Sequence, residues 1–188
     1  MKLFVTGAGG FVGRAVLDEA RSRGHDVVAM VRSTKGFAET PGVSTVVGDL
    51  RQDGPWVAAL ATCDAVIHLA ASTGDFYDQM ASTVLGTERL LAAMRDNGVK
   101  RLVHISTFSV YDYRAIPMKG WLDETSPLEL RPEDRDDYTQ TKLGRVGTTS
   151  SPWCVRRRGL QRLPVSPRSL ATSATTVPGS PRSRPAML

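Results

Sequence analysis

Three glycines at three-residue spacing, Gly7, Gly10 and Gly13, stand between an apolar run, Leu3-Phe4-Val5, and an amphipathic stretch that begins at Phe11. A strand that ends in a glycine turn and feeds straight into a helix leaves the helix's first N–H groups and its positive dipole end open to an anion. Glycine lets the backbone turn sharply and approach a pyrophosphate with no Cβ in the way. The Gly-x-x-Gly-x-x-Gly spacing departs slightly from the usual dinucleotide fingerprint, and a ligand-free glycine turn would look much the same over these seven residues. The strand before it and the helix after it are the context that favours the phosphate reading.

The same alternation continues along the chain. Leu3 to Thr6, Val27 to Val31, Val43 to Val47, Ala65 to Ala71 and Arg101 to Ser106 read as strands. Phe11 to Arg23, Asp53 to Ala61 and Asp78 to Asp96 read as helices, with Val12, Val16 and Ala20 as the inner face of the first and Met80, Val84, Leu91 and Met94 as that of the third. Repeated β-α-β units need right-handed crossovers, so the expected fold is α/β, a doubly wound parallel sheet of the Rossmann type. Ligands of such sheets lie at the carboxyl ends of the strands. Gly7, Arg32, Asp49, Ala71 and Thr107 all fall there and are expected to share one crevice. Residues 108–132 read as a long polar loop, and Glu133 to Lys142 as a helix whose acidic first turn (Glu133, Asp134, Asp136) suits its dipole.

Charge divides the chain in two. Of 24 basic and 19 acidic residues, residues 143–188 hold eight arginines and no acid, which leaves residues 1–142 at a net −3. The same tail holds six of the eleven prolines, no Phe or Tyr, and no sustained period. Gly144, Gly147 and Pro152 weaken any helical continuation after Lys142. Residues 143–188 are therefore expected to be a low-complexity, disordered or irregular tail on a C-terminally truncated sheet. Two origins stand: a native extension, or translation out of frame, which the total absence of acids favours. The acidic body and the lack of aromatic-basic interleaving speak against nucleic acid as a partner. No apolar run reaches membrane-spanning or signal-peptide length, so no membrane partner is expected. Two cysteines, Cys63 and Cys154, form no disulfide framework; they read as small buried hydrophobes in a reducing, cytoplasmic setting.

Tyr138-x-x-x-Lys142 places a phenol and an ammonium on one helical face. A free tyrosine titrates near 10, and a neighbouring cation favours its phenolate, which brings it within reach of acid–base work at neutral pH. A surface helix pair would show the same spacing. Ser106-Thr107-Phe108-Ser109 ends the fifth strand and offers a hydroxyl to a substrate oxygen, or simply satisfies a strand-end turn. No metal-ligand pattern is present. At the end of the second strand, Val31-Arg32-Ser33 carries no carboxylate for a ribose 2′-OH. Arg32 there suits a 2′-phosphate, which favours NADP over NAD, although a solvated arginine at a strand end would read alike.

Taken together, Thr6-Gly7-Ala8-Gly9-Gly10-Phe11-Val12-Gly13, Gly48-Asp49-Leu50, His68-Leu69-Ala70-Ala71, Gly86-Thr87, Ser106 to Tyr111 and Tyr138-x-x-x-Lys142 resemble the extended short-chain dehydrogenase/reductase family, also described as NAD-dependent epimerases/dehydratases. The resemblance covers residues 1–142 and implies an NAD(P)-binding Rossmann domain there. It implies pyrophosphate contacts from Gly7, Gly10, Phe11, Val12 and Gly13, adenine contacts from Asp49 and Leu50, and a path to the nicotinamide ribose along Ala70 and Ala71. It gives Thr107 and Tyr138 catalytic roles, and has Lys142 both bind ribose hydroxyls and assist Tyr138. Thr83 stands where the family often has Asn. The reaction implied is hydride transfer at a hydroxyl or carbonyl carbon of a nucleotide sugar or small carbonyl compound, in a protein that often forms a homodimer. The alternatives are an inactive truncated fragment or a non-catalytic NADP-binding module.

Overall fold

A computed structural model describes residues 1–147, apart from residues 38, 39 and 119, with the backbone alone for 144–147. The tail expectations for residues 148–188 lie outside the described residues. Five strands form one parallel sheet: β1 (Lys2–Thr6), β2 (Asp26–Val31), β3 (Val43–Val47), β4 (Ala65–His68) and β5 (Leu102–His104), in the order β3-β2-β1-β4-β5. Helices α1 (Phe11–Ser22), α2 (Pro55–Ala61), α3 (Phe76–Gln79), α4 (Gly86–Asp96) and α5 (Asp137–Gly147) accompany it. This is the doubly wound Rossmann-type arrangement, and the order of strands reverses between β1 and β4, where such sheets open a crevice.

Strand alternation sorts the core into two layers. Leu3 and Val5 of β1, with Val27, Ala29 and Val31 of β2, meet Leu17 and Ala20 of α1. Phe4, Val28 and Met30 point the other way and meet Trp56 and Leu60 of α2 and Leu90 and Met94 of α4. Each large side chain buried this completely contributes on the order of 2 kcal/mol from apolar burial.

The structure corrects several boundaries. β4 stops at His68 and β5 at His104; beyond β4 the chain from Leu69 to Gly74 turns to line the cleft. The buried face of α1 is Gly13, Leu17 and Ala20; Val16 only flanks it and Val12 is 53% exposed, so the expected face is rotated by about one residue. The cause is Gly13, which a pattern of apolar side chains leaves out. A Cβ on Gly13 would collide with the Gly7 carbonyl and lie 2.6 Å from Ala8 O, so α1 rests backbone to backbone on the glycine turn. The helix expected over Asp78 to Asp96 begins earlier, at Phe76, and is interrupted by a π-helical segment, Met80–Leu85. There the Thr87 hydroxyl takes the Thr83 carbonyl, and the Thr83 hydroxyl accepts from Ser72 N at 3.0 Å. A hydroxyl that takes the i−4 carbonyl, as Thr87 does, loosens the α-helical register. Glu133 and Asp134 belong to a separate 3₁₀ turn, Pro132–Asp134, not to a helix. The true N-cap of α5 is Asp136, whose carboxylate accepts from Thr139 N at 2.9 Å. That helix also runs through Gly144 to Gly147, further than its glycines led us to expect.

A polar chain ties the strand ends together. The Thr6 hydroxyl accepts from Leu69 N and Ala70 N, both at 3.2 Å, so its own proton points to His68 Nδ1 at 2.6 Å. His68 Nε2 then carries the ring proton and donates to the Thr87 hydroxyl at 2.9 Å. Across the β4–β5 pairing the His68 ring stacks on His104, 5.1 Å between centroids. Burial first, then the neighbouring charges, lowers His68 to about 3 and His104 to about 4.

Two outcomes follow for stability. The unfolded chain protonates both histidines near 6.5, whereas the folded state resists until about 3 and about 4, so stability falls as pH drops from 6.5 toward 4. The slope is at most about 1.4 kcal/mol per pH unit for each histidine, in a window above that in which Asp49 or Asp136 titrates. Urea titrations across that window should show it, and His68→Gln should remove roughly half of the slope; an unchanged slope would refute the assignment. Gly13→Ala should lose about 2 kcal/mol or more in the same assay, despite alanine's better helix propensity. A neutral result would mean that α1 can retreat from the turn at no cost.

Candidate functional site

The site begins where β1 ends. Gly7 has φ +67°, and a Cβ there would lie 2.8 Å from Ala70 N, so the turn is pressed against the chain leaving β4. Gly10 N donates to Gly7 O at 3.0 Å and opens α1, with no side chain capping the helix. The first-turn N–H groups and the dipole end therefore remain available to an anion.

A cleft of about 800 Å³ lies over the carboxyl ends of β1 to β4. It brings together Gly7, Gly10, Arg32, Asp49, Leu50, Ala70 and Ala71, seven of the positions anticipated from sequence. Phe11, Val12 and Gly13 do not line it. Phe11 is 96% exposed at the helix start, Val12 is half exposed, and Gly13 is buried beneath the turn. Arg14, Arg32 and Lys35 give the β2 end of the cleft a cationic wall. These features fit a dinucleotide: an uncapped helix terminus for phosphates, a glycine floor, and cations at the ribose end.

Asp49 is already engaged. Arg51 donates to it from its backbone N (2.9 Å), from Nε (2.9 Å) and from Nη2 (2.6 Å), and reaches Asp78 from Nη1 at 3.3 Å. The Arg51 hydrogen bond holds the Asp49 carboxyl below the usual carboxylate range. Asp78 also bonds the Ser72 hydroxyl. The sequence reading overlooked Arg51, although the Asp-x-Arg spacing at a strand end was visible.

Thr107, Tyr138 and Lys142 form a second group, one strand further on and outside the lining of that cleft. Lys142 is buried; its Nζ donates to Ile105 O at 3.2 Å and lies 5.9 Å from the centre of the Tyr138 ring. Burial lowers its pKa. Lys142 thus joins α5 to the end of β5, from which Thr107 hangs. The Thr107 hydroxyl accepts from Ser109 N and donates to Ser109 Oγ, both at 3.3 Å, and caps a 3₁₀ turn, Phe108–Val110. In this state it fills the strand-end turn role.

The long loop before α5 is organised around a residue that sequence reading passed over. Glu129 is 5% exposed, and its carboxylate accepts from Arg114 Nη2 (2.7 Å), Arg135 Nη1 (3.0 Å) and Arg131 N (3.0 Å). These bonds, the Arg131 N–H first, hold it below the usual carboxylate range. Tyr111 pairs with Leu128 in an antiparallel bridge, and the Arg135 guanidinium lies over the Tyr113 ring, 4.1 Å from its centre. The sequence carries no cue to it, since Glu129 is one of several acids (Asp123, Glu124, Glu133, Asp134) in a loop that also holds Arg114, Arg131 and Arg135. Among the described residues no group of His, Cys, Asp and Glu is placed to hold a metal ion, and no helix is long and apolar enough to cross a membrane.

Comparison with known proteins bears on this geometry. Over 125 residues the chain is 39% identical to a 2-alkyl-3-oxoalkanoate reductase of Stenotrophomonas maltophilia, covering 64% of this chain and 37% of that protein. It is 36% identical over 141 residues to a 4-hydroxy-2-methyl-3-oxo-4-farnesyl-3,4-dihydroquinoline-1-oxide ketoreductase of Stigmatella aurantiaca, covering 70% and 40%. A solved short-chain dehydrogenase/reductase superfamily protein from Agrobacterium tumefaciens, with bound NAD, superposes with a TM-score of 0.64 at 32% identity over 76% of this chain and 42% of that one. The chain spans about two fifths of the length of these relatives. The model of the NAD dependent epimerase/dehydratase family matches residues 3–144, from the first strand to beyond Lys142, and the chain belongs to that family.

Proposed function

We propose that residues 1–142 form the dinucleotide-binding part of an NAD(P)-dependent reductase that interconverts a ketone and a secondary alcohol. The observation that carries this reading is the pairing of an uncapped helix terminus over a glycine floor with a buried lysine beside Tyr138 at the next strand end. The two curated relatives described above are both reductases of ketones, which favours a carbonyl compound over a nucleotide sugar. The loop before α5 adds support, because it exposes Met118, Trp121 and Leu122, side chains suited to an apolar substrate group.

The residues divide the work as follows. Gly7 and Gly10 admit the pyrophosphate to the α1 terminus, and Ala70 and Ala71 leave a smooth wall toward the nicotinamide. When bound, the dinucleotide supplies or takes the hydride. In the reducing direction the Tyr138 hydroxyl gives its proton to the carbonyl oxygen as the carbon gains hydride, and solvent restores that proton. The Lys142 ammonium favours the phenolate left on Tyr138. Thr107, turning from Ser109, orients the substrate oxygen. At the far end Arg32 and Lys35 favour a 2′-phosphate, and Asp49, neutralised by Arg51, does not oppose it; NADP is the preferred dinucleotide and NAD the alternative.

NADPH and NADH binding should be followed by nicotinamide fluorescence, and turnover of 2-alkyl-3-oxoalkanoates and of UDP-glucose by nicotinamide absorbance. Tyr138→Phe should keep NADPH affinity and lose about a hundredfold or more in turnover. Retained turnover would overturn the assigned role, and cofactor binding without any turnover would favour a binding module. Arg32→Asp should weaken NADPH by on the order of tenfold or more while sparing NADH; equal effects on both would sink the NADP preference.

A further inference from the structure

We propose that Glu129 is a positioning residue for the two hydroxyls of the reaction, joining the segment that carries Thr107 to the helix that carries Tyr138. The proposal rests on the reductase reading above for its kinetic consequence, but its structural consequence stands apart from it.

Thr107 and Tyr138 lie thirty-one positions apart, at the two ends of the loop that follows β5. Glu129 grips both ends. Its N–H donates to Val110 O at 2.9 Å, which fixes the 3₁₀ turn that Thr107 caps. Its carboxylate holds Arg135, the residue immediately before the Asp136 cap of α5. The Arg135 carbonyl in turn accepts from Gln140 Nε2 at 2.8 Å, on the helix turn that bears Tyr138. The Arg135 side chain is 8% exposed and that of Glu129 1%, so this is a buried pair, unlike the surface pairs elsewhere. Arg114 closes the loop by reaching Glu129 from the Tyr111 side. Buried pairs of this kind contribute little net stability compared with apolar packing, but removing one partner strands the other charge. Their benefit is geometric: a fully satisfied carboxylate permits one arrangement of its donors. A displacement of about 1 Å between reacting groups is enough to cost on the order of a hundredfold in rate.

The test uses Glu129→Gln in the full 188-residue chain, which keeps shape and removes charge, with Arg135→Lys as a second variant. Hydrogen exchange is read over residues 108–114, 136–142 and, as a reference, 2–22. Glu129→Gln should speed exchange in both flanking segments together and leave the reference at the wild-type rate. In ketone reduction its kcat should fall by about ten- to a hundredfold, with the cofactor KM within about twofold of wild type. Arg135→Lys should show the same pattern, more weakly. Wild-type exchange in either segment, or an undiminished kcat despite altered exchange, overturns the proposal. A wild-type chain that turns over no ketone defeats the reductase reading, and exchange alone then decides the role of Glu129. If Glu129→Gln does not fold, the exchange pattern of Arg135→Lys decides it.

Discussion

Backbone meeting backbone around the first glycine turn is the constraint on which the rest of the site depends. Gly7 presses against Ala70, and Gly13 seats α1 on the carbonyls of Gly7 and Ala8. No side chain of any size fits at either contact. With the turn held this close, the Thr6 hydroxyl sits within reach of Leu69 N, Ala70 N and His68, and the ends of β1, β4 and α4 become one hydrogen-bonded unit. The cleft is open because its floor is bare backbone, which adds unspent N–H groups to the charged side chains of its walls.

Electrostatically the site is graded. Cations line the β2 end, and the acid at the β3 end is bound to Arg51. Toward β5 the charges become few and buried: Lys142 is shielded from water, and His68 and His104 stay neutral through the physiological range. The cleft therefore offers an anion its positive charges at the β2 end, while Lys142 at the β5 end is the buried cation beside a half-buried Tyr138.

The centre of the sheet was legible because β1 and β2 are buried on both faces, so Val27 to Val31 or Leu3 to Val5 announces itself as an unbroken apolar run. The glycine turn was legible because its three glycines share one tight spacing. Contacts whose partners are far apart in sequence were not. The face of α1 was misjudged because a glycine, carrying no hydrophobicity, makes its closest contact. The π segment was hidden because hydroxyls of Thr83 and Thr87 do not alter an apolar pattern. Glu129 was passed over for a similar reason: in a loop rich in Asp, Glu and Arg nothing marks which acid is buried. Arg51 lies only two residues from Asp49, yet an Asp-x-Arg spacing does not by itself show that the two side chains fold onto each other. Fold class is written in periodicity, whereas site geometry is written in pairings that periodicity does not encode.

The π segment also solves a problem of aim. Gln79 and Leu90 are eleven positions apart, about three turns of α-helix, and an unbroken helix would point both the same way. Yet Gln79 bonds Thr141 on α5 at 3.2 Å, while Leu90 is sealed in the sheet-facing core. One wider turn offsets the two directions by roughly a quarter of a revolution or more. A single helical rod thereby faces the sheet along one half and the tyrosine-bearing helix along the other, like a camshaft whose lobes are set at different angles.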